Sequence, residues 1–259
     1  MTQSATARPA ATILLVRDVP EFEVLMVKRH HQIDFASGAL VFPGGKAEPD
    51  DSDPAWEGLA LGWAETSPDQ RPLRVAAIRE AYEEAGILVA RHRSGETFHG
   101  DQRAVEARSA VARGERSLME LVTELDLRLD LGALAVFARW ITPAAAPKRF
   151  DTWFYVVQAN SDQLAACDGW ETVDAEWIPP RSAIGLAAAG ERKVMFPTRM
   201  NLQLLAESES GEDAVRRAAL RTLVTVEPRV EQREGGPVLV IPHDAGYGVV
   251  TEPLSGLNG

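Results

Sequence analysis

Glu80, Glu83 and Glu84 stand at i, i+3 and i+4 in the string Arg79-Glu-Ala-Tyr-Glu-Glu-Ala-Gly-Ile87. If that string is helical, three carboxylates share one face, because residues three and four apart are neighbours on a helix. Like charges so placed repel, at about a few tenths of a kcal/mol per pair on an exposed helix. A hard divalent cation such as Mg²⁺ or Mn²⁺ turns that repulsion into a binding site, since it prefers oxygen ligands and bridges to phosphate oxygens. The bland alternative is a solvated acidic face, which an isolated string of this kind fits equally well. A second stretch weighs against the bland reading. Gly38 to Gly45 ends in Phe42-Pro43-Gly44-Gly45, and Glu48, Asp50 and Asp51 follow. A Pro-Gly-Gly turn lets backbone approach a ligand or a helix closely.

These residues need elements to hold them. Leu73–Ala85 has a helical pattern, with Val75, Ala76 and Ile78 on or near one face and Gly86 as its stop. Ala11–Val16 and Phe22–Lys28 alternate around Asp18-Val-Pro20 as a hairpin does, and Ala39–Phe42 is a short apolar strand. Residues 47–72 are rich in turn residues and acids but carry Trp56, Leu59, Leu61 and Trp63, so part of the stretch is read as short helix. Ile87–Ala90 reads as a strand. Asp101–Leu127 reads as helical, broken near Gly114, with Ser117 capping Leu118–Leu125. Strands are predicted at Leu134–Ile141, Trp153–Gln158, Glu171–Ile178 and Val238–Ile241, and helices at Thr198–Glu207 and Gly211–Thr222. Strands early and late with helices between them point to a mixed sheet covered by helices.

Composition bounds the function. The chain has 259 residues, 45% of them hydrophobic, and a net charge of −11. That is ample for a buried core and excludes a disordered chain. The acidic balance argues against nucleic acid as a partner, which calls for a basic footprint. No run reaches the ~20 apolar residues of a membrane span, so no membrane partner is expected. Cys167 is the single cysteine and is read as an inert thiol; one cysteine excludes an internal disulfide framework and fits a reducing compartment. The N-terminus lacks the pattern of a signal peptide, and the C-terminal Ser255-Gly-Leu-Asn-Gly259 lacks a peroxisomal Ser-Lys-Leu address, so a cytoplasmic protein is expected. A homodimer is compatible with all of this.

The two stretches together resemble the Nudix box, the hallmark of the Nudix hydrolase superfamily. Gly45, five residues and Asp51 match its first half, with Asp where Glu is usual. Arg79 through Ile87 match the second half. Between Asp51 and Arg79 stand 27 residues where the usual pattern has seven, which places an insert within 53–72 and leaves open whether Asp51, Asp50 or Glu48 plays the part of the loop carboxylate. A box split at this place resembles the coenzyme A diphosphatase branch of mammalian peroxisomal type. Similar to that branch are also Trp140-Ile-Thr-Pro143 leading to Arg149-Phe-Asp151-Thr152, Trp177-Ile-Pro-Pro180, and Phe196-Pro-Thr198 with Asn201-Leu202. Leu25-Met-Val-Lys28-Arg29 followed by Gly38–Gly45 has the spacing of a coenzyme A motif, but His30 and Asp34 depart from it.

The resemblance implies one Nudix domain over 1–259, an α/β/α sandwich with a mixed sheet. Inserts are expected at about 53–72 and 101–127 and a C-terminal extension at about 198–259. It implies Mg²⁺ or Mn²⁺ on Glu80, Glu83 and Glu84, with Glu83, Glu84 and Arg79 as the catalytic group and Arg79 tying helix to loop. Arg29, Gly44, Gly45 and Arg149 are the substrate-binding candidates, and Asp51, Asp151 and Glu171 or Glu176 are secondary ones. Asp151 and Arg149 read equally well as a structural ion pair, and His30-His31 as loop residues rather than metal ligands. The insert is expected to shape access, its large apolar residues covering the site or a partner surface. The implied reaction is hydrolysis of a small-molecule nucleoside diphosphate derivative, with coenzyme A or an acyl-coenzyme A as the first choice. ADP-ribose or another nucleotide derivative, or a catalytically silent nucleotide-sensing domain, are the alternatives.

Overall fold

The computed structural model describes residues 5–29, 38–159 and 172–254. Strands β1 (Arg8–Arg17) and β2 (Glu23–Arg29) form the expected hairpin, paired at Val16↔Val24 and Arg17↔Glu23. Strand β3 (Leu40–Val41) pairs with β2, and β4 (Gly44–Lys46) pairs with Ala10–Thr12 of β1. One edge of β1 is therefore shared, its end by β2 and its start by β4. A short helix α1 (Trp56–Leu59) and strand β5 (Ala60–Leu61) lead to α2 (Arg71–Ala85), whose Pro72 sits in the first turn, where its missing N–H is harmless. Next come β6 (Ala90–His92), α3 (Gln102–Ala112), α4 (Leu118–Glu124) and β7 (Leu127–Asp130). Ser117 caps α4 as expected, in a reciprocal pair with Glu120. Strands β8 (Ala135–Ile141), β9 (Phe150–Gln158) and β10 (Thr172–Ile178) are followed by helices α5 (Pro180–Ala188), α6 (Phe196–Leu205) and α7 (Gly211–Leu220). The chain ends in β11 (Thr225–Val226), β12 (Arg229–Arg233), β13 (Gly236–Val240) and β14 (Thr251–Pro253).

The central sheet runs β10–β2–β1–β9–β8–β11, with β3 and β4 added to β2 and β1. It is mixed: β1 runs parallel to β9 and β8 to β11, while the other neighbours are antiparallel. The two-residue period of a strand sorts its side chains between two cores. Ile13, Leu15, Tyr155 and Val157 join α2 in one. Leu14, Val16, Phe154 and Val156 join Met200, Leu205, Ala214 and Ala218 of α6 and α7 in the other. The result is an α/β/α sandwich with a mixed sheet. No helix among the described residues is long and apolar enough to cross a membrane.

Several local expectations are corrected. Helix α2 is buried around nearly its whole circumference, packed against the sheet and, through the same core, against α3, α4 and the small sheet β5–β7–β6. Ile87 and Leu88 are not in a strand but packed into the same core, and β6 begins only at Ala90. Strand β7 lies where helix was expected to end: Leu127 and Leu129 alternate with Arg128 and Asp130, a period-2 signal hidden behind a helical one. Pro180 opens α5 instead of merely closing a strand. The insert packs largely inward. Trp56 is buried and its Nε1 donates to the Asp50 carbonyl at 2.9 Å, Leu59 and Trp63 pack on the core, and β5 pairs with β7.

Candidate active site

Arg79 is the hub of the site. Its Nε donates to Asp51 Oδ1 at 3.0 Å and its Nη2 to Asp51 Oδ2 at 3.1 Å, a two-pronged grip on the carboxylate. Nη1 donates to Glu80 Oε1 at 2.9 Å and to Glu83 Oε2 at 3.0 Å, and Nη2 also reaches the Lys46 carbonyl at 2.9 Å. All five guanidinium N–H groups are thereby used. Asp51 comes from a 3-10 turn at Pro49–Ser52 that faces it inward, 2% exposed, and its Oδ2 accepts the Glu48 N–H at 2.7 Å. Glu48 and Asp50, the other two carboxylates left open by the sequence, face solvent. The Gly44 N–H donates to Glu84 Oε2 at 3.0 Å, so β4 holds the third glutamate directly.

Both glycines of the turn stand close against other groups. A Cβ on Gly45 would lie 2.3 Å from Glu80 Oε1, and one on Gly44 would lie 2.6 Å from the Ala11 carbonyl oxygen. Gly86 at the end of α2 has φ +73°, the left-handed conformation that glycine adopts without a Cβ penalty. Burial sets the electrostatics. It opposes the charge of Arg79, but hydrogen bonding to Asp51 and the charges of Glu80, Asp51 and Glu83 outweigh it and raise the guanidinium pKa. Burial pushes the Glu83 carboxyl up to about 8 against the pull of Arg79. The carboxylates are therefore no solvated face: Glu80 and Glu84 are 7% and 3% exposed. Among the described residues no group of three acids, histidines or cysteines is already gathered around a common point, because Glu80 and Glu83 turn to Arg79 and Glu84 to Gly44. The donor set nonetheless fits Mg²⁺ or Mn²⁺: three carboxylates on adjacent turns of one helix, all oxygen, with Glu80 lying in the cradle that a Cβ on Gly45 would fill.

The structure brings Arg79, Glu80, Glu83, Glu84, Gly44, Gly45 and Asp51 together. Arg149 and Asp151 are engaged with other partners, at the start of β9, which lies across β1 from β4. Arg149 donates to the carbonyls of Ala5 and Thr142 at 2.9 and 3.0 Å and to Glu227 at 2.7 Å, which knits the start of β9 to the chain's first residues and to the β11–β12 link. Asp151 is gripped by Arg139 at 2.9 and 2.7 Å, the ion-pair reading. Glu176 lies 3.8 Å from Arg192. Arg29 ends β2 opposite Thr172. Glu171, His30, His31, Asp34 and Cys167 lie outside the described residues. A cavity of about 270 Å³ lined by Phe137, Leu204, Arg217 and Arg221 belongs to the other side of the sheet and contains none of these carboxylates. Sequence reasoning missed Arg108 of α3. Its Nε and Nη2 donate to the backbone carbonyls of Glu83 and Glu84 at 3.0 and 2.9 Å. The signal was present: Ala104, Ala107 and Val111 form an apolar stripe, and Arg108 stands on it.

Acyl-coenzyme A diphosphatase NUDT19 of Homo sapiens is 27% identical over 271 aligned positions, covering 87% of this chain and 72% of that one. Its Xenopus laevis counterpart is 24% identical over 206, and this chain spans 63% of its own length and 54% of the frog protein's. A crystal structure of a NUDIX hydrolase from Alicyclobacillus acidocaldarius superposes with a TM-score of 0.75 at 29% identity, covering 84% of this chain and 99% of that one. The sequence model described as the NUDT19 Nudix domain matches residues 60–202, more than half of the chain. That match takes in all of α2 with its three glutamates, and on it the chain belongs to the NUDT19 Nudix domain family of the Nudix hydrolases.

Proposed function

We propose that this protein is a diphosphatase that cleaves coenzyme A or an acyl-coenzyme A to 3′,5′-ADP and a 4′-phosphopantetheine product. The observation that carries the reading is the Arg79 network, which holds Glu80 and Glu83 and the Asp51 loop in one buried cluster beside the Gly44-Gly45 turn. The substrate class rests on the relatives named acyl-coenzyme A diphosphatase. Glu80, Glu83 and Glu84 would hold Mg²⁺ or Mn²⁺. When bound, the cation neutralises the diphosphate and makes the attacking water more acidic. Arg79 keeps the helix and the loop in register and balances the carboxylates before the cation arrives. The Gly44-Gly45 turn lets β4 lie close to β1 and to the Glu80 carboxylate, which fixes where that carboxylate stands. Water adds to one phosphorus, the bond from that phosphorus to the bridging oxygen breaks, and the other phosphate leaves with that oxygen. Hydrolysis thus adds one water and yields two monophosphates.

The test compares kcat/KM for coenzyme A, its 3′-dephospho form and ADP-ribose with Mg²⁺ or Mn²⁺ present, products being identified by mass spectrometry. Coenzyme A is expected to be the better substrate. A charged hydrogen bond to the 3′-phosphate contributes about 1.5–3 kcal/mol, so loss of one should lower the dephospho form by roughly 10- to 160-fold. Equal turnover of dephospho-coenzyme A, or a preference for ADP-ribose, would overturn the substrate assignment. Metal-dependent turnover of none of the three would overturn the enzymatic reading.

A further inference from the structure

Helix α2 ends one residue after Glu84, so the carbonyls of Glu83 and Glu84 lie in its last turn, where a helix runs out of its own N–H donors. Others in that turn are satisfied locally: the Gly86 N–H donates to the Tyr82 carbonyl at 2.9 Å and the Ile87 N–H to the Ala81 carbonyl at 3.3 Å. The carbonyls of Glu83 and Glu84 are taken by Arg108, through Nε at 3.0 Å and Nη2 at 2.9 Å. Arg108 is buried and stands on the apolar stripe of α3 among Ala104, Ala107 and Val111, where an alanine or leucine would be the ordinary occupant. A cation at this end also suits the helix dipole. Gly86 makes room for it, since a Cβ there would come within 3.3 Å of Arg108 Nη1. A second tie, from the Tyr82 hydroxyl to the Ala104 carbonyl, joins the same two helices one turn away.

We propose that Arg108 is a positioning residue for the carboxylate turn. It sets the backbone of Glu83 and Glu84, and hence where their side chains stand when a divalent cation is bound, from the far side of the helix and without meeting cation or substrate. The stretch 101–127 that supplies α3 then has a task in the site although it contributes no group to the chemistry. The kinetic part of this proposal rests on the diphosphatase reading; the metal-binding part does not.

The experiment titrates the full-length chain with Mn²⁺, following the free ion by electron paramagnetic resonance, for the parent and for Arg108→Ala, Arg108→Lys and Tyr82→Phe. Circular dichroism and thermal unfolding establish the folded fraction of each. Loss of an outer-shell positioning contact weakens metal binding by about 10- to 100-fold, which is the expectation for Arg108→Ala. With coenzyme A as substrate, kcat should fall by a similar factor while KM stays within about twofold. Arg108→Lys keeps the charge but reaches one carbonyl instead of two, so it should recover part of the affinity. Tyr82→Phe loosens the same helix pair without touching the two carbonyls and should leave Mn²⁺ affinity at the parent value. Parent-like Mn²⁺ affinity in folded Arg108→Ala would overturn the proposal, as would an equal loss in Tyr82→Phe, which would reduce Arg108 to general packing. If Arg108→Ala does not fold, Arg108→Lys decides: undiminished affinity and kcat there would overturn it. A chain that binds Mn²⁺ with this Arg108 dependence yet hydrolyses no diphosphate would sink the function and leave the positioning role standing. A parent chain that takes up no Mn²⁺ would sink both.

Discussion

Arg79 directs its five N–H groups at two carboxylates on its own helix, one carboxylate on the preceding loop and one backbone carbonyl. Its side chain is 9% exposed and that of Asp51 2%. Removing one partner of such a buried pair leaves an uncompensated charge, so Arg79→Ala should lower the unfolding free energy by about 3–5 kcal/mol. Urea unfolding by circular dichroism measures this. Arg79→Lys keeps a charge but loses the fork and should fall between the two. Parent-like stability in Arg79→Ala would mean that the network carries no stability. At this scale the shared face of the three glutamates was readable from spacing, and Gly45, Asp51 and Arg79 from the family resemblance. The choice among Glu48, Asp50 and Asp51 was not, because three neighbouring acids are equivalent in a string and a 3-10 turn turns only Asp51 inward.

Two adjacent glycines at one element do different work. A Cβ at Gly44 runs into backbone, the Ala11 carbonyl oxygen at 2.6 Å and Thr12 Cα at 2.7 Å, where neither atom can move without parting β4 from β1. A Cβ at Gly45 instead meets the end of a side chain, Glu80 Oε1 at 2.3 Å, which can swing aside. Gly44→Ala is therefore expected to lower the melting temperature with whatever activity loss unfolding explains. Gly45→Ala should melt close to the parent yet lose most of its Mn²⁺ uptake and turnover. Calorimetry beside a Mn²⁺ titration separates the two, and the opposite pattern would reverse the assignment of roles. The insert teaches a related lesson. Its aromatic residues suggested a cover, but Trp56 binds the Asp50 carbonyl and Arg71 stacks 4.8 Å from the Trp63 ring, so it buttresses the Asp51 loop from within.

Over the whole molecule, the sheet separates a chemical side from a supporting one. Helix α2 and the acidic cluster lie with one core, and α6, α7 and the C-terminal strands lie with the other. On the supporting side Trp140 Nε1 donates to the Tyr247 hydroxyl at 2.9 Å, and that hydroxyl donates to Asn201 Oδ1 at 2.7 Å, all of it buried. Tyr247→Phe leaves a buried donor and a buried acceptor unmade, and each such group costs about 1–3 kcal/mol. The expected outcome is a clear fall in unfolding free energy with kcat/KM for the best substrate unchanged. A kinetic change in a fully folded Tyr247→Phe would show that the two sides communicate.

The sequence by itself determined the hairpin, the helix through Arg79-Glu80-Ala-Tyr-Glu83-Glu84, its glycine stop and the family resemblance, because each of these is written in neighbours a few residues apart. A mixed sheet covered by helices followed from the alternation of strands and helices, the α/β/α layering was implied by the resemblance, and the structure carries both. Tertiary structure alone decided the rest. It buried α2 around nearly its whole circumference, which makes its acidic residues a closed ion network and not a solvated face. It sent Arg149 and Asp151 into structural pairs, and it brought Arg108 to carbonyls 24 and 25 residues earlier in the chain. The physical reason is common to all three. Local periodicity states which face of an element is apolar, but which charge meets which, and how far from water, depends on elements that approach one another only in the folded chain.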